Sequence, residues 1–173
     1  MTRTLVIVTA LAAVLLQVLL ARYTVGGQWV FDLVLVGVVY AALEWGVVAG
    51  MAAGTIGGLL LDLASGSVIG VGGLAKTLVG SASGAVGANF VVARPNAKVV
   101  IVAAATVVHR VLLVGLTALI DQRWPGMPWA AMLEEIVLNS LAALVLFHAT
   151  QSLPEALARG RVRRRAWRGR PKW

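Results

Sequence analysis

The sequence predicts an all-α polytopic membrane protein, a compact bundle of six transmembrane helices, and three observations carry that expectation. The first is composition. Of 173 residues 60% are hydrophobic and only 13% charged, with mean hydropathy +0.89, whereas an ordinary soluble domain carries about 25% charged residues. The second is a series of apolar runs approaching the roughly 20 residues needed to cross hydrocarbon. The third is a glycine register in residues 46–84, GVVAGMAAGTIGGLLLDLASGSVIGVGGLAKTLVGSASG. Glycine returns every fourth residue at Gly46, Gly50, Gly54 and Gly58, Asp62 takes the next step, and Gly66 and Gly70 continue it. The run resumes with Lys76, Gly80 and Gly84. In water so many helical glycines cost about 1 kcal/mol each relative to Ala. In a bilayer small residues instead let two backbones approach closely. Steps of four drift about 40° on a 3.6-residue helix, so these glycines are expected to wind round it and touch more than one neighbour.

The first span, about residues 5–21, reads as an uncleaved helix. No polar region or small-x-small site closes it as in a signal peptide, and Gln17 is its one interior polar group. Trp29 anchors the following turn. The second span, about 28–44, and the third, about 46–64, leave little room. Residues 26–64 number 39, barely two crossings at 1.5 Å per residue. Either both helices are short and the turn at Glu44 to Gly46 is minimal, or one does not cross. The fourth span covers about 69–92. VVARPNAKVV then forms a connection, because Pro95 disfavours helix just before it. The fifth covers about 99–120, DQRWPGMPW is a loop with Trp124 and Trp129 suited to an aromatic belt, and the sixth covers about 130–150. Residues 1–158 are thus expected as one transmembrane domain and 159–173 as a basic tail, too charged and short to fold alone.

Charge orients the bundle. Six spans put Arg3, Arg94, Lys98 and the eight basic residues after residue 158 on one side, against Arg22 and Arg123 on the other. The positive-inside rule accordingly places both termini in the cytoplasm. A five-span arrangement, merging the second and third runs, would put the tail outside.

Five charged residues fall in or near expected hydrocarbon: Asp62, Lys76, Arg110, Glu134 and Glu135. Such groups are costly unless paired. With the turn at Ser67 outside, Asp62 lies about 7–8 Å and Lys76 about 13 Å below it, which predicts an Asp62–Lys76 pair pinning the third span to the fourth. Arg110 is expected to brace the fifth span against Glu134 or Glu135 and Asn139, His109 to be a packed neutral histidine, and Asp32 and Glu44 to be interfacial. No cysteine is present and His109 and His148 are the only histidines, so neither metal-ligand spacing nor a nucleophile motif appears. The glycine run lacks the GxxxxGK[ST] pattern of a nucleotide loop. The sequence therefore predicts no enzyme, no cofactor and no nucleic-acid partner. Arg161, Arg163, Arg164, Arg165, Trp167 and Arg168 are expected to meet anionic lipid, at about 1 kcal/mol per basic residue, or a cytoplasmic protein.

The stretch carrying Gly50, Gly54, Gly58, Leu59, Leu60, Leu61, Asp62, Leu63, Ser65, Gly66, Gly70 and Leu74 resembles the MreD family of bacterial rod-shape-determining membrane proteins. The likeness covers about residues 46–90; the rest agrees in layout. It implies a non-enzymatic partner of an MreC-like protein in the cell-wall elongation machinery, which links MreB filaments to the polymerase RodA and its transpeptidase. It also implies the six-helix fold of the substrate-binding subunits of vitamin transporters. This chain lacks the longer polar loop expected between the second and third spans, and its Arg-Trp tail is not a family hallmark. The alternative function, a small-solute transport subunit, would require a polar-lined cavity between helices, open to one side.

Overall fold

The computed structural model describes the backbone of Gln17, residues 31–90 and residues 94–168, with side chains as far as Thr150 except those of Pro95 and Ala149. Among these residues the chain is all-helical: α1 (Leu33–Trp45), α2 (Val47–Ser65), α3 (Val71–Asn89), α4 (Pro95–Asp121) and α5 (Trp129–Arg168). Apart from Gln17, the expected first span lies outside the described residues.

The centre of the bundle is the shortest helix. Val34, Leu35, Val36, Val38, Val39, Ala41 and Ala42 bury α1 on every side, as an all-round apolar helix requires. Leu35, Val36 and Val39 pack with Val79 of α3, Val102 and Ala105 of α4, and Ala143 and Phe147 of α5. Val34, Val38 and Ala41 face Ala49 and Ala53 of α2. With 13 residues, α1 is about 20 Å long, short of the ~30 Å of hydrocarbon. Three of the described helices are long and apolar enough to cross a membrane: α2, α4 over Asn96–Asp121, and α5 over Trp129–His148. Helix α3 equals α2 in length, but its glycines, serines and Lys76 dilute its apolar content. The outer surface carries large apolar side chains, among them Val48, Leu63, Leu119 and Val145, compatible with a membrane protein.

Helices α2 and α3 form an antiparallel pair in direct backbone contact. A Cβ placed on Gly50 would lie 2.5 Å from the Gly80 carbonyl oxygen, one on Gly54 2.5 Å from that of Lys76, and one on Gly58 2.5 Å from Gly73 Cα. From the other side, a Cβ on Gly80 would strike the Gly50 carbonyl, and one on Gly84 would lie 2.5 Å from Val47 Cα. Gly50, Gly54 and Gly58 thus share one seam with α3, and Gly50 meets a second neighbour as well, for a Cβ there would lie 2.6 Å from Ala42 Cβ of α1. The i, i+4 row is a ridge inclined to the helix axis, and a partner crossing at an angle follows it. The second neighbour of α2, α1, is met mainly through Ala49 and Ala53.

Three glycines expected at helix contacts turn the chain instead. Gly46 (φ +90°) alone joins α1 to α2, so the turn there is minimal. Gly66 (φ +66°) ends α2, its N–H returning to the Asp62 carbonyl, and Gly70 (φ +100°) precedes α3. A Cβ on any of them would meet nothing within 4 Å; the constraint at Gly66 is the left-handed backbone, where an L side chain costs about 1–2 kcal/mol.

Pro95 opens α4 at its first turn, where its missing N–H costs no hydrogen bond. Helix α5 runs unbroken to Arg168, past residue 159 where the basic tail is expected to begin, while its apolar, membrane-length part is Trp129–His148. A packed helix has already met the cost of nucleation, so its extension adds one hydrogen bond per residue fixed. The side chains of Arg161, Arg163, Arg164, Arg165, Trp167 and Arg168 lie outside the described residues.

Candidate functional site

Four helices converge on one aspartate. Asp32 sits just before α1, and its Oδ1 accepts from the Leu35 N–H at 2.9 Å, satisfying one of the free donors of the first helical turn. Gln17 satisfies another, its Oε1 accepting from the Val34 N–H at 3.0 Å. The backbone N–H of Asp32 donates to Asn139 Oδ1 of α5 at 2.8 Å, and Asn139 Nδ2 donates to Thr106 Oγ1 of α4 at 3.2 Å. Asp32 Oδ2 receives Lys76 Nζ of α3 at 2.7 Å. Lys76 Nζ also lies 3.2 Å from His109 Nε2 of α4.

Lys76 is 3% exposed and Asp32 6%, so the pair depends on its geometry and on the hydrogen bonds around it to offset desolvation. Beside it, Arg110 of α4 holds Glu135 of α5: Nε donates to Oε2 at 2.8 Å, and Nη2 donates to the same oxygen. Two ion pairs, the first buried and the second partly so, therefore lie side by side, one joining α3 to the start of α1 and one joining α4 to α5.

Several expected placements are corrected. Lys76 pairs with Asp32, not with Asp62. The Asp62 carboxylate is taken up by backbone, its Oδ2 accepting from Gly70 N–H at 2.9 Å and Gly73 N–H at 3.2 Å. It thereby caps α3, whose N-terminal amides and dipole favour an anion. Its other oxygen occupies the space a Cβ on Gly72 would need. Glu134 is exposed beside Leu133, Val137 and Leu138, while Glu135 faces Arg110, because neighbouring residues on a helix point about 100° apart. Asp32, expected at an interface, is the hub. Glu44 pairs with Lys98 of α4 near the other end of α1, and Lys98 Nζ stands 5.1 Å from the centre of the Phe147 ring.

Sequence reasoning missed Asp32 although a signal was present, since an aspartate immediately before an apolar run is an N-cap signature. His109, expected to be packed, belongs to the polar cluster: one ring nitrogen meets Lys76, and the other, Nδ1, is buried without a hydrogen-bond partner.

Asp32, His109 and Glu135 each offer a ligand atom within 4.8 Å of the others, a donor set that could in isolation hold a divalent cation. The surrounding charges argue against that use. Lys76 already pairs with Asp32 Oδ2 and contacts His109 Nε2, and Arg110 pairs with Glu135 Oε2, so a divalent cation would compete with both. The cluster neutralises itself.

Above this floor is a cavity of about 770 Å³ under the α2–α3 turn, walled by Leu61, Val68 and Leu113 and floored by Asp32, Lys76, His109, Arg110 and Glu135.

Comparison with protein-family models, curated proteins and solved structures returned no match to this chain. The described residues themselves define an all-helical protein with three helices able to cross a membrane, built round a buried, charge-balanced polar cluster.

Proposed function

We propose that this chain is an integral-membrane scaffold of the bacterial cell-wall elongation machinery, of the MreD type. It would serve rod shape and lateral peptidoglycan synthesis by binding an MreC-like protein and, with it, the MreB-associated assembly of RodA and its transpeptidase. The observation that supports this reading is the stereochemical use made of the resembling stretch. Gly50, Gly54 and Gly58 form the seam with α3, Asp62 caps α3, and Gly66 and Gly70 shape the turn between.

The glycines and Asp62 of that motif go into fixing α2 against α3, as suits a protein whose product is an assembly. Close backbone contact fixes α2 against α3, and the outward faces of the helices are left for lipid and for other proteins. In this reading the protein lies in the inner membrane with both termini cytoplasmic and works without cofactor or catalysis. The basic residues after residue 158 then meet anionic headgroups on the cytoplasmic face.

The test is depletion in a rod-shaped bacterium, combined with site-specific crosslinking from the outward faces of α2 and α3. Rounding of the cells and a crosslink to an MreC-like protein are the expected results. Unchanged shape on depletion, or loss of solute uptake without a change of shape, overturns the proposal.

A further inference from the structure

Three carboxylates are buried among the described residues: Asp32, Asp62 and Glu135. Asp32 holds Lys76, and Glu135 holds Arg110. Asp62 belongs to none of the ion pairs of the described residues. Its Oδ2 is taken up by the Gly70 and Gly73 amides, and the N-terminus of α3 offsets roughly half of its charge. Its Oδ1 receives no hydrogen bond from these amides or from any other described group, although each oxygen of a carboxylate can accept.

That oxygen is open to solvent and has a direction. Among the described residues His109 Nδ1 is the unpartnered side-chain atom that solvent cannot reach. Asp62 Oδ1, equally unpartnered, is not sealed in this way and keeps accessible surface. It lies where a Cβ on Gly72 would stand, and Asp62 and Gly72 both line the 770 Å³ cavity under the α2–α3 turn.

The charge of the lining selects an occupant. Lys76 and Arg110 are each matched by a carboxylate of their own, so Asp62 leaves the lining with a negative excess. An anion would face that excess and compete with Asp32 and Glu135 for their cations. A neutral molecule would leave the excess in place. A cation beside Oδ1 would offset it through a charge-assisted hydrogen bond, about twice as strong as a neutral one. A bare divalent ion fits poorly, since such ions take about six oxygen ligands and Asp62 has one oxygen to offer in a space far larger than an ion. Leu61, Val68, Val71 and Leu113 supply apolar walls, and the volume falls in the range of about 300–1,000 Å³ usual for small-molecule sites.

We infer that this cavity binds a small organic cation, its ammonium group donating to Asp62 Oδ1 and its apolar body resting against Leu61, Val68 and Leu113. The site does not depend on the scaffold role, and it holds equally if the chain serves solute transport.

Three probes of one shape test it on the full chain in a non-ionic detergent: benzylamine (cationic), benzyl alcohol (neutral) and benzoate (anionic). Calorimetry or ligand-observed NMR should show saturable binding of benzylamine, with the other two weaker by about tenfold or more, the scale of one hydrogen bond to a charged group. Benzylamine should also raise the melting temperature, as a ligand of the folded state does. Asp62→Asn, whose side-chain oxygen can still accept from the Gly70 and Gly73 amides, should weaken benzylamine about tenfold and leave benzyl alcohol unchanged. Leu113→Trp, which fills the cavity and leaves Asp62 in place, should abolish binding of benzylamine. Equal binding of the three probes, tightest binding of benzoate, parental affinity for benzylamine in either variant, or no saturable benzylamine binding (water alone meeting Oδ1) overturns the inference.

Discussion

Where α2 meets α3 the contact is backbone against backbone, and the side chains that would stand between them are absent. Where α1, α3, α4 and α5 meet, polar side chains fill the gap: Asp32, Lys76, His109 and Asn139. The seam holds by shape. It has no charge to lose, but added volume at Gly54 or Gly58 meets main chain that cannot rotate away. The cluster holds by pairing. It tolerates changes of shape better than the loss of one partner, because the remaining charge stays buried. The same pair of helices, α2 and α3, shows both modes at their common end: the Asp62 carboxylate is bound by amides at the start of α3, four residues along α2 from the close backbone approach of Gly58 to Gly73.

This contrast can be broken at several points. The largest effect is expected from Lys76→Met, which leaves Asp32 buried without its cation and should cost about 3–5 kcal/mol. Adding Asp32→Asn, which can still cap α1, should restore more than half of that loss in a double-mutant cycle on thermal melting. Simple additivity would show that the two residues do not act as a pair.

Gly54→Ala comes next. Its new methyl meets the Lys76 carbonyl, so the two helices must separate, at about 1–3 kcal/mol. A melting temperature equal to the parent's would show that the seam yields more easily than main-chain contact allows. Gly66→Ala should cost about 1–2 kcal/mol through backbone strain alone, and Gly66→Asn less, since Asn tolerates the left-handed region. Glu134→Gln, by contrast with Glu135→Gln, should leave stability within about 0.5 kcal/mol. A large loss at Glu134 would place it, and not Glu135, opposite Arg110.

Much of the local architecture was legible in the residues. Pro95 marked the break before α4, the glycine spacing marked close helix contact, and the tight count of residues between 26 and 64 left either a minimal turn, as found at Gly46, or a helix that does not cross. Less was legible of the cluster. The Asp62–Lys76 pairing was argued from depth along two adjacent helices, and depth alone does not say which group faces which. The capping aspartate before α1 carried its own signature but reads in sequence as one more residue at a helix end. Nor does spacing show that Gly46, Gly66 and Gly70 serve turns while Gly50, Gly54 and Gly58 serve contacts, for all six occupy one register.

What the sequence by itself determined is helix: runs of apolar residues with few charges, and glycines at intervals that a helix in water would not favour. Only the tertiary structure decided that the 13-residue α1 lies at the centre, that Asp32 and not Asp62 receives Lys76, and that His109 joins the polar cluster beside them. The reason is physical. Apolar content and backbone preference act within a few residues of chain, while the partner of a buried charge is set by which side chains four helices bring within about 3 Å, and that distance depends on every contact between them.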